Sequence, residues 1–352
     1  MKRICMVVPS FTAKGGIAAV VNGYRGSELE KKYAIHYIET YCDGTKPAKF
    51  LKAVAAYLRF VKELAVFRPD IIHIHSSFGA SFYRKLPFIW LGSALRIPIV
   101  NHIHGSELKD FFWNAHPFIK RLKKKTYQRC DAVIALADDW KKQFMEAFEI
   151  QKVTVIENYG RVGVPTAEGG CPSTVLFLGF LSKLKGCMDI PEIVYRVKKE
   201  IPNVQFVLAG KGNDEDIQQI NDMLRVREVQ GNVQFPGWIA GNEKERALQS
   251  AALFFLPSYT EGMPMSILEA MGHGLPIVSS NVGGIPELVE QERNGYICEP
   301  GDTKAFADAI IRLLKNTQLR DTMGKESVRI VEERFSLERH IGALQNIYES
   351  LC

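Results

Sequence analysis

Two carboxylates flank one junction of this 352-residue chain. The segment reads Ser258-Tyr259-Thr260-Glu261-Gly262-Met263-Pro264-Met265-Ser266-Ile267-Leu268-Glu269-Ala270-Met271-Gly272 and follows an apolar run, 253–256, closed by Pro257. The pattern predicts a strand, a loop and a helix. In a parallel α/β sheet such a loop lies at the carboxyl end of its strand, where ligands bind. The amides that open the helix favour anionic groups, phosphates above all. Glu261 then sits in the mouth of the loop, and Glu269 about one turn into the helix. The spacing of the two glutamates means nothing by itself in a chain this rich in glutamate. The surrounding strand, turn and helix supply the information.

Other residues invite chemistry and are weighed against plainer roles. Gly15-Gly16 follow the first apolar run; without side chains they let the backbone approach a ligand closely, although a tight turn needs the same residues. The spacing is not G-x-G-x-x-G, so dinucleotide binding is not indicated. His73-x-His75 and His102-x-His104 each place two imidazoles on one face of a strand, so four histidines could converge. No nearby Asp, Glu or Cys completes a zinc ligand set, and no metal site is expected. Asp214-Glu215-Asp216 mimics a D-x-D metal motif, but follows Gly212-Asn213 at a helix start, where acids complement the dipole.

The elements that must carry these residues repeat along the chain. Apolar runs at 4–8, 35–39, 71–75, 97–102, 132–136 and 153–156 are separated by stretches long enough for crossover helices, as parallel strands require. A Gly- and Pro-rich segment, 159–172, has no periodicity and reads as a linker. A second alternation follows, with runs at 174–178, 204–209, 233–235, 253–256, 277–279 and 296–298. Each half therefore reads as a Rossmann-like doubly wound parallel sheet. The length exceeds one ordinary core, and the expected division is 1–162, 173–335 and a terminal helix within 336–352.

The segment 258–272 resembles the E-x7-E signature of retaining glycosyltransferases of the GT-B fold, in particular family 4, the glycosyl transferases group 1. Val282-Gly283-Gly284-Ile285-Pro286-Glu287, Gly295-Tyr296 and Phe335-Ser336 follow in the family's order. Upstream, Phe177-Leu178-Gly179 with Lys185-Gly186 is similar to the family's G-R-L-x-x-x-K-G loop, and Val207-Leu208-Ala209-Gly210-Lys211-Gly212 and Phe235-Pro236-Gly237-Trp238 continue the likeness. Lys14-Gly15-Gly16 and His104-Gly105 supply the landmarks of the first half. Together they span most of the chain.

The resemblance implies two Rossmann-like domains facing across a cleft, the first binding the acceptor and the second the donor, with the terminal helix bracing the first. It implies a metal-independent, retaining enzyme, with no cofactor beyond the donor itself, a UDP- or GDP-sugar. The acceptor is a glycan or lipid-linked, and the setting is cell-surface polysaccharide biosynthesis. Glu261 would lie beside the transferred sugar, Lys185 would neutralise the departing diphosphate, and His104 would bond a sugar hydroxyl or stabilise the transition state. Glu269 would accept from the ribose hydroxyls, since one carboxylate can accept from both. Gly262, Met263, Pro264, Met265 and Ser266 would offer backbone amides, and Gly15, Gly16, Gly179 and Gly237 would border the donor. Phe180 stands where the family commonly has arginine, which leaves the diphosphate charge to Lys183 or Lys185. The rival readings are a GT-B-like sugar-nucleotide epimerase and a nucleotide- or membrane-binding scaffold without turnover.

Charge is uneven along the chain. Residues 1–160 hold 25 Lys and Arg against 14 Asp and Glu, a net +11, and the rest hold 20 against 25, a net −5. An amphipathic helix over 49–68, with Phe50, Val54, Tyr57, Leu58 and Val61 apolar and Lys49, Lys52, Arg59 and Lys62 basic, and the cluster Lys120-Arg121-Leu122-Lys123-Lys124-Lys125 concentrate the excess. Such helices suit an anionic membrane surface. No nucleic-acid motif accompanies them. No apolar run reaches the roughly 18 residues of a membrane span, and Met1-Lys2-Arg3 leads directly into the run 4–8 without a signal peptide's apolar core. The seven cysteines are scattered and odd in number, as suits a reducing compartment. The expected location is cytoplasmic, peripheral at the inner face of the membrane.

Overall fold

A computed structural model describes residues 1–163 and 173–351, so most of the expected linker, 159–172, lies outside the described residues. The chain divides into two compact units, Met1–Tyr159 together with the chain from Leu337, and Gly160–Ser336. Each is an α/β unit built on a six-stranded, all-parallel sheet.

The first unit runs β1 (Arg3–Val8), α1 (Gly16–Asn22), α2 (Glu28–Lys32), β2 (Ala34–Glu39), α3 (Lys46–Val66), β3 (Ile71–Ser76), α4 (Ala80–Ala94), β4 (Ile99–Ile103), α5 (Pro117–Tyr127), β5 (Ala132–Ala135), α6 (Asp138–Phe148) and β6 (Val153–Val155). Its sheet order is β2-β1-β3-β4-β5-β6, so the winding reverses between β1 and β3. In β3 and β4 every residue is buried, the pattern of strands covered on both faces. One face carries Ile72, Ile74, Phe60, Phe82, Phe88 and Phe148 in an apolar core. The alternate positions of β3 carry His73 and His75, which face Tyr24 and Tyr348.

The second unit runs β7 (Thr174–Leu178), α7 (Ile190–Glu200), β8 (Gln205–Ala209), α8 (Asp214–Val226), β9 (Val233–Gly237), α9 (Asn242–Ser250), β10 (Leu253–Leu256), α10 (Met265–Gly272), β11 (Ile277–Ser280), α11 (Ile285–Leu288), β12 (Gly295–Cys298), α12 (Thr303–Lys315) and α13 (Thr317–Arg334). Its order is β12-β11-β10-β7-β8-β9, and the winding reverses between β7 and β10. Ligands of doubly wound sheets bind outside the strand carboxyl ends at such a reversal. Asp214-Glu215-Asp216 form the first turn of α8, whose N-cap Asn213 accepts from the Asp216 amide. The plainer of their two readings describes them.

The last helix, α14 (Leu337–Ser350), packs on α2 in the first unit. Tyr348 bonds His73 there, and His340 stacks on Tyr24. Helix α3 holds a different surface from a helix packed along its apolar stripe. Only Ala56 and Phe60 are buried on it, while Phe50, Leu58 and Val61 are 68%, 69% and 55% exposed. Phe50, Leu58 and Val61 therefore lie in water beside the basic residues, while Tyr57 packs against the core.

Candidate functional site

In the second unit the two strands that flank the reversal each deliver a loop to the same place. After β7 the chain passes Gly179 and forms a short turn at Lys183–Lys185, closed by Gly186 in the left-handed region (φ 70°). A Cβ on Gly186 would stand 1.9 Å from the Pro257 carbonyl oxygen, so only glycine lets the loop after β7 meet the end of β10. The Tyr259 amide completes the join by donating to Leu184 O at 2.8 Å. The consequence is chemical: Lys185 Nζ reaches Glu261 Oε1 at 2.5 Å. Ser258 Oγ donates to the same oxygen at 2.7 Å.

Glu261 is held from behind as well. Gly283 also adopts a left-handed conformation (φ 54°), and a Cβ there would lie 1.9 Å from Glu261 O. The Gly284 amide donates to Gly262 O at 2.7 Å. The glycines of Val282-Gly283-Gly284 thus seat the loop that carries the carboxylate. Glu261 is 5% exposed; a carboxylate this far from water calls for a cation and hydrogen bonds around it. Lys185 and Ser258 supply both. An ammonium has three protons to donate, and its one side-chain bond in the structure leaves two for an incoming anion. Lys183, the alternative carrier of the diphosphate charge, is exposed and bonds no side chain among the described residues. Phe180 is half exposed.

Glu269 occupies the middle of α10, half-buried, and its Oε1 accepts from Lys244 of α9 at 2.7 Å. That lysine is absent from the sequence reading, because nothing in the spacing of α9 singles it out. Ser258 was legible only as part of the segment, with no role attached. Gly262, Met263 and Pro264 are buried in the loop, and Met265 and Ser266 open α10 at intermediate exposure. Gly179 donates its amide to Ala209 O. Gly237 ends β9 in the left-handed region beside the partly exposed Trp238.

The remaining sequence candidates belong to the first unit. Gly15 and Gly16 open α1. His104 follows β4, and its Nε2 bonds His75 Nδ1 at 2.9 Å. The four strand histidines do converge, with His75 and His104 stacked at 5.2 Å and His102 and His104 at 4.3 Å between ring centroids. His73, His75 and His102 each place one ring nitrogen within 4.8 Å of the others. A fifth member, His340 of α14, was not foreseen, since only the return of that helix brings it in. Its Nδ1 bonds the Glu157 carbonyl at 2.6 Å and its Nε2 the Tyr24 hydroxyl at 2.7 Å. A carbonyl can only accept, so Nδ1 carries the proton and Nε2 accepts from the tyrosine. Burial pushes His73 and His104 down to about 3 and His340 down to about 4, and holds His75 and His102 well below the ordinary range. All five are uncharged imidazoles at neutral pH.

Comparison with known families matches residues 172–316 to Glycosyl transferases group 1 and residues 16–159 to Glycosyltransferase Family 4. The chain belongs to the family 4 glycosyltransferases. This glycosyltransferase is 26% identical, over 79% of its length and 74% of the relative's, to N-acetyl-alpha-D-glucosaminyl L-malate synthase of Bacillus anthracis. It is 24% identical, over 76% of its length and 72% of the relative's, to 2-deoxystreptamine N-acetyl-D-glucosaminyltransferase of Niallia circulans. Among solved structures, sucrose-phosphate synthase from Thermosynechococcus elongatus superposes with a TM-score of 0.82 at 18% identity, covering 100% of this chain and 99% of that one. Anabaena HepE in complex with UDP-glucose superposes with a TM-score of 0.78 at 19% identity, over 99% and 100% of the two chains. These likenesses establish the GT-B fold for this glycosyltransferase. No helix among its described residues is long and apolar enough to cross a membrane.

Proposed function

We propose that the enzyme transfers a sugar, with retention of anomeric configuration and without a metal ion, from a UDP- or GDP-sugar to a glycan or lipid-linked acceptor in cell-surface polysaccharide biosynthesis. The observation that carries this reading is the Lys185–Glu261 pair, fixed at the reversal of the second sheet. Departure of a nucleoside diphosphate leaves negative charge on its terminal phosphate and positive charge at the anomeric carbon. Lys185 has protons to offer the first, and Glu261 an oxygen to offset the second and to accept from sugar hydroxyls. Glu269, with Lys244 on one oxygen, keeps the other for the ribose hydroxyls. The neutral ring of His104 serves as a hydrogen-bonding group toward the sugar, since burial denies it a charge. Solved relatives whose structures contain UDP or UDP-glucose support the donor class. Retention rests on the family likeness.

The reading includes a membrane. The exposed apolar stripe of α3, flanked by Lys46, Lys49, Arg59 and Lys62, suits insertion among anionic lipid headgroups.

Purified enzyme with a panel of nucleotide sugars and a glycan extract tests the transfer. Lys185→Ala and Glu261→Ala should each lower turnover by about 10²- to 10³-fold in protein that still melts cooperatively, with Lys185→Ala melting lower because it strands the buried Glu261 carboxylate. Wild-type rates in either variant would end the assignment. Product anomers read by proton NMR decide retention, and full activity in a chelator decides the metal.

A further inference from the structure

The first unit has its own reversal, between β1 and β3, and a cavity of about 200 Å³ opens there. That exceeds the ~150 Å³ that accommodates a benzene ring. Gly15 and Gly16 border one side, and Arg84 and Lys85, from the start of α4, line the other. The electrostatics of this cavity are one-sided. Lys14 also lines it, and among the described residues no carboxylate does.

Lys85 is 2% exposed. Its Nζ donates to Thr40 Oγ1 at 2.6 Å, and that hydroxyl in turn donates to Val8 O at 3.0 Å, so Lys85 is held by a neutral group. Arg84 lies over the Tyr41 ring at 5.1 Å, and its Nε is buried without a partner. Neither side chain has an ion-pair partner among the described residues. A second orphan, His75 Nε2, lines the same cavity. Burying a cation such as Lys85 without a counterion is unfavourable unless something else compensates. Burial and the neighbouring guanidinium hold Lys85 well below the ordinary lysine range. A fold that needed only a packed core would place an apolar residue at position 85.

We propose that this cavity is the acceptor subsite and that the acceptor carries an anionic group, a phosphate or a carboxylate, seated against Arg84 and Lys85. The assignment rests on the transferase reading above and narrows its acceptor from any glycan to a molecule with a negative charge near the receiving hydroxyl. The lysine supplies a point charge and the arginine a planar fork with directed protons. Thr40, Ser77 and Ser81 remain along the wall to select the carrier's hydroxyls.

The test is calorimetric titration of the whole enzyme, saturated with UDP, with inorganic phosphate and separately with malonate. Saturable binding of one dianion is expected, weakened about tenfold or more in Arg84→Gln and in Lys85→Met. The two probes separate a phosphate-bearing from a carboxylate-bearing acceptor. Equal affinity in wild type and both variants overturns the site. Phosphate binding that disappears once UDP is present also overturns it, because the anion was then occupying the donor's place. GDP replaces UDP if UDP does not bind; if neither nucleotide binds, the transferase reading falls and the acceptor assignment falls with it. Because Lys85→Met removes a buried cation, it should fold at least as stably as wild type, and Arg84→Gln keeps hydrogen-bonding capacity. A melting curve on each checks this.

Discussion

Five histidines share the interior of the first unit, and their neutrality makes stability depend on pH in a direction that can be worked out. In the unfolded chain each binds a proton near its ordinary pKa of 6.5, whereas in the folded unit His73 and His104 wait until about pH 3 and His340 until about pH 4. Below 6.5 the unfolded state therefore binds more protons than the folded state, and stability falls with pH. The contribution is fully present above 6.5 and drains away between 6.5 and the folded values. Each histidine costs about 1.4 kcal/mol per pH unit in that window. Falling from about pH 6.5 to about pH 5 should thus remove about 2 kcal/mol per histidine, or about 6 kcal/mol for these three. His75 and His102 add to it in the same direction. Whole domains have only about 5–15 kcal/mol to lose. The assay is urea denaturation followed by tryptophan fluorescence at about pH 7.5 and about pH 5. Trp90, Trp113 and Trp140 belong to the first unit and Trp238 to the second, so the signal is dominated by the first. The informative variant is His102→Leu, because neither of its ring nitrogens has a partner among the described residues and none of these is left unpaired by its removal. It should flatten the pH dependence by about 1.4 kcal/mol per pH unit. A wild-type midpoint unchanged between the two pH values, or a variant with the wild-type slope, would refute the reasoning.

Gly283→Ala should push the Glu261 backbone away, since the new Cβ would overlap Glu261 O, and lower turnover by about tenfold or more with a depressed melting temperature; normal kinetics would show that the loop is not held from behind. Ser258→Ala, which removes one of the two groups on Glu261 Oε1, should cost about 1–3 kcal/mol of stability at the site, read by thermal melting. Lys85→Met should raise the melting temperature by about 2–4 °C per kcal/mol recovered, and a lower value would mean that the lysine has a counterion in the free enzyme. Leu58→Glu with Phe50→Glu on the exposed stripe of α3 should abolish flotation with vesicles containing phosphatidylserine while leaving the melting curve unchanged, and flotation at the wild-type level would remove α3 as the contact.

The sequence by itself determined the strands, the doubly wound class of both halves and the position of the chemical loops. Strand interiors buried on both faces are mostly apolar, the histidines of β3 and β4 aside, so the runs mark the strands closely. Loops at strand ends are bound to carry the polar and glycine residues that remain, and for that reason Glu261, Lys185 and the Gly15-Gly16 turn could be found as segments. What a linear pattern cannot encode is which loop meets which. The pairing of Lys185 with Glu261 follows from β7 and β10 being neighbours across the reversal, and from glycines at 186 and 283 that permit backbone contact. Glu269 acquired Lys244, and the histidine group acquired His340, from helices distant in sequence. Arg84 and Lys85 read as ordinary helix cations in the chain; only the burial of Lys85 and of the Arg84 Nε, with no counterion for either among the described residues, separates them from lysines and arginines that simply face water.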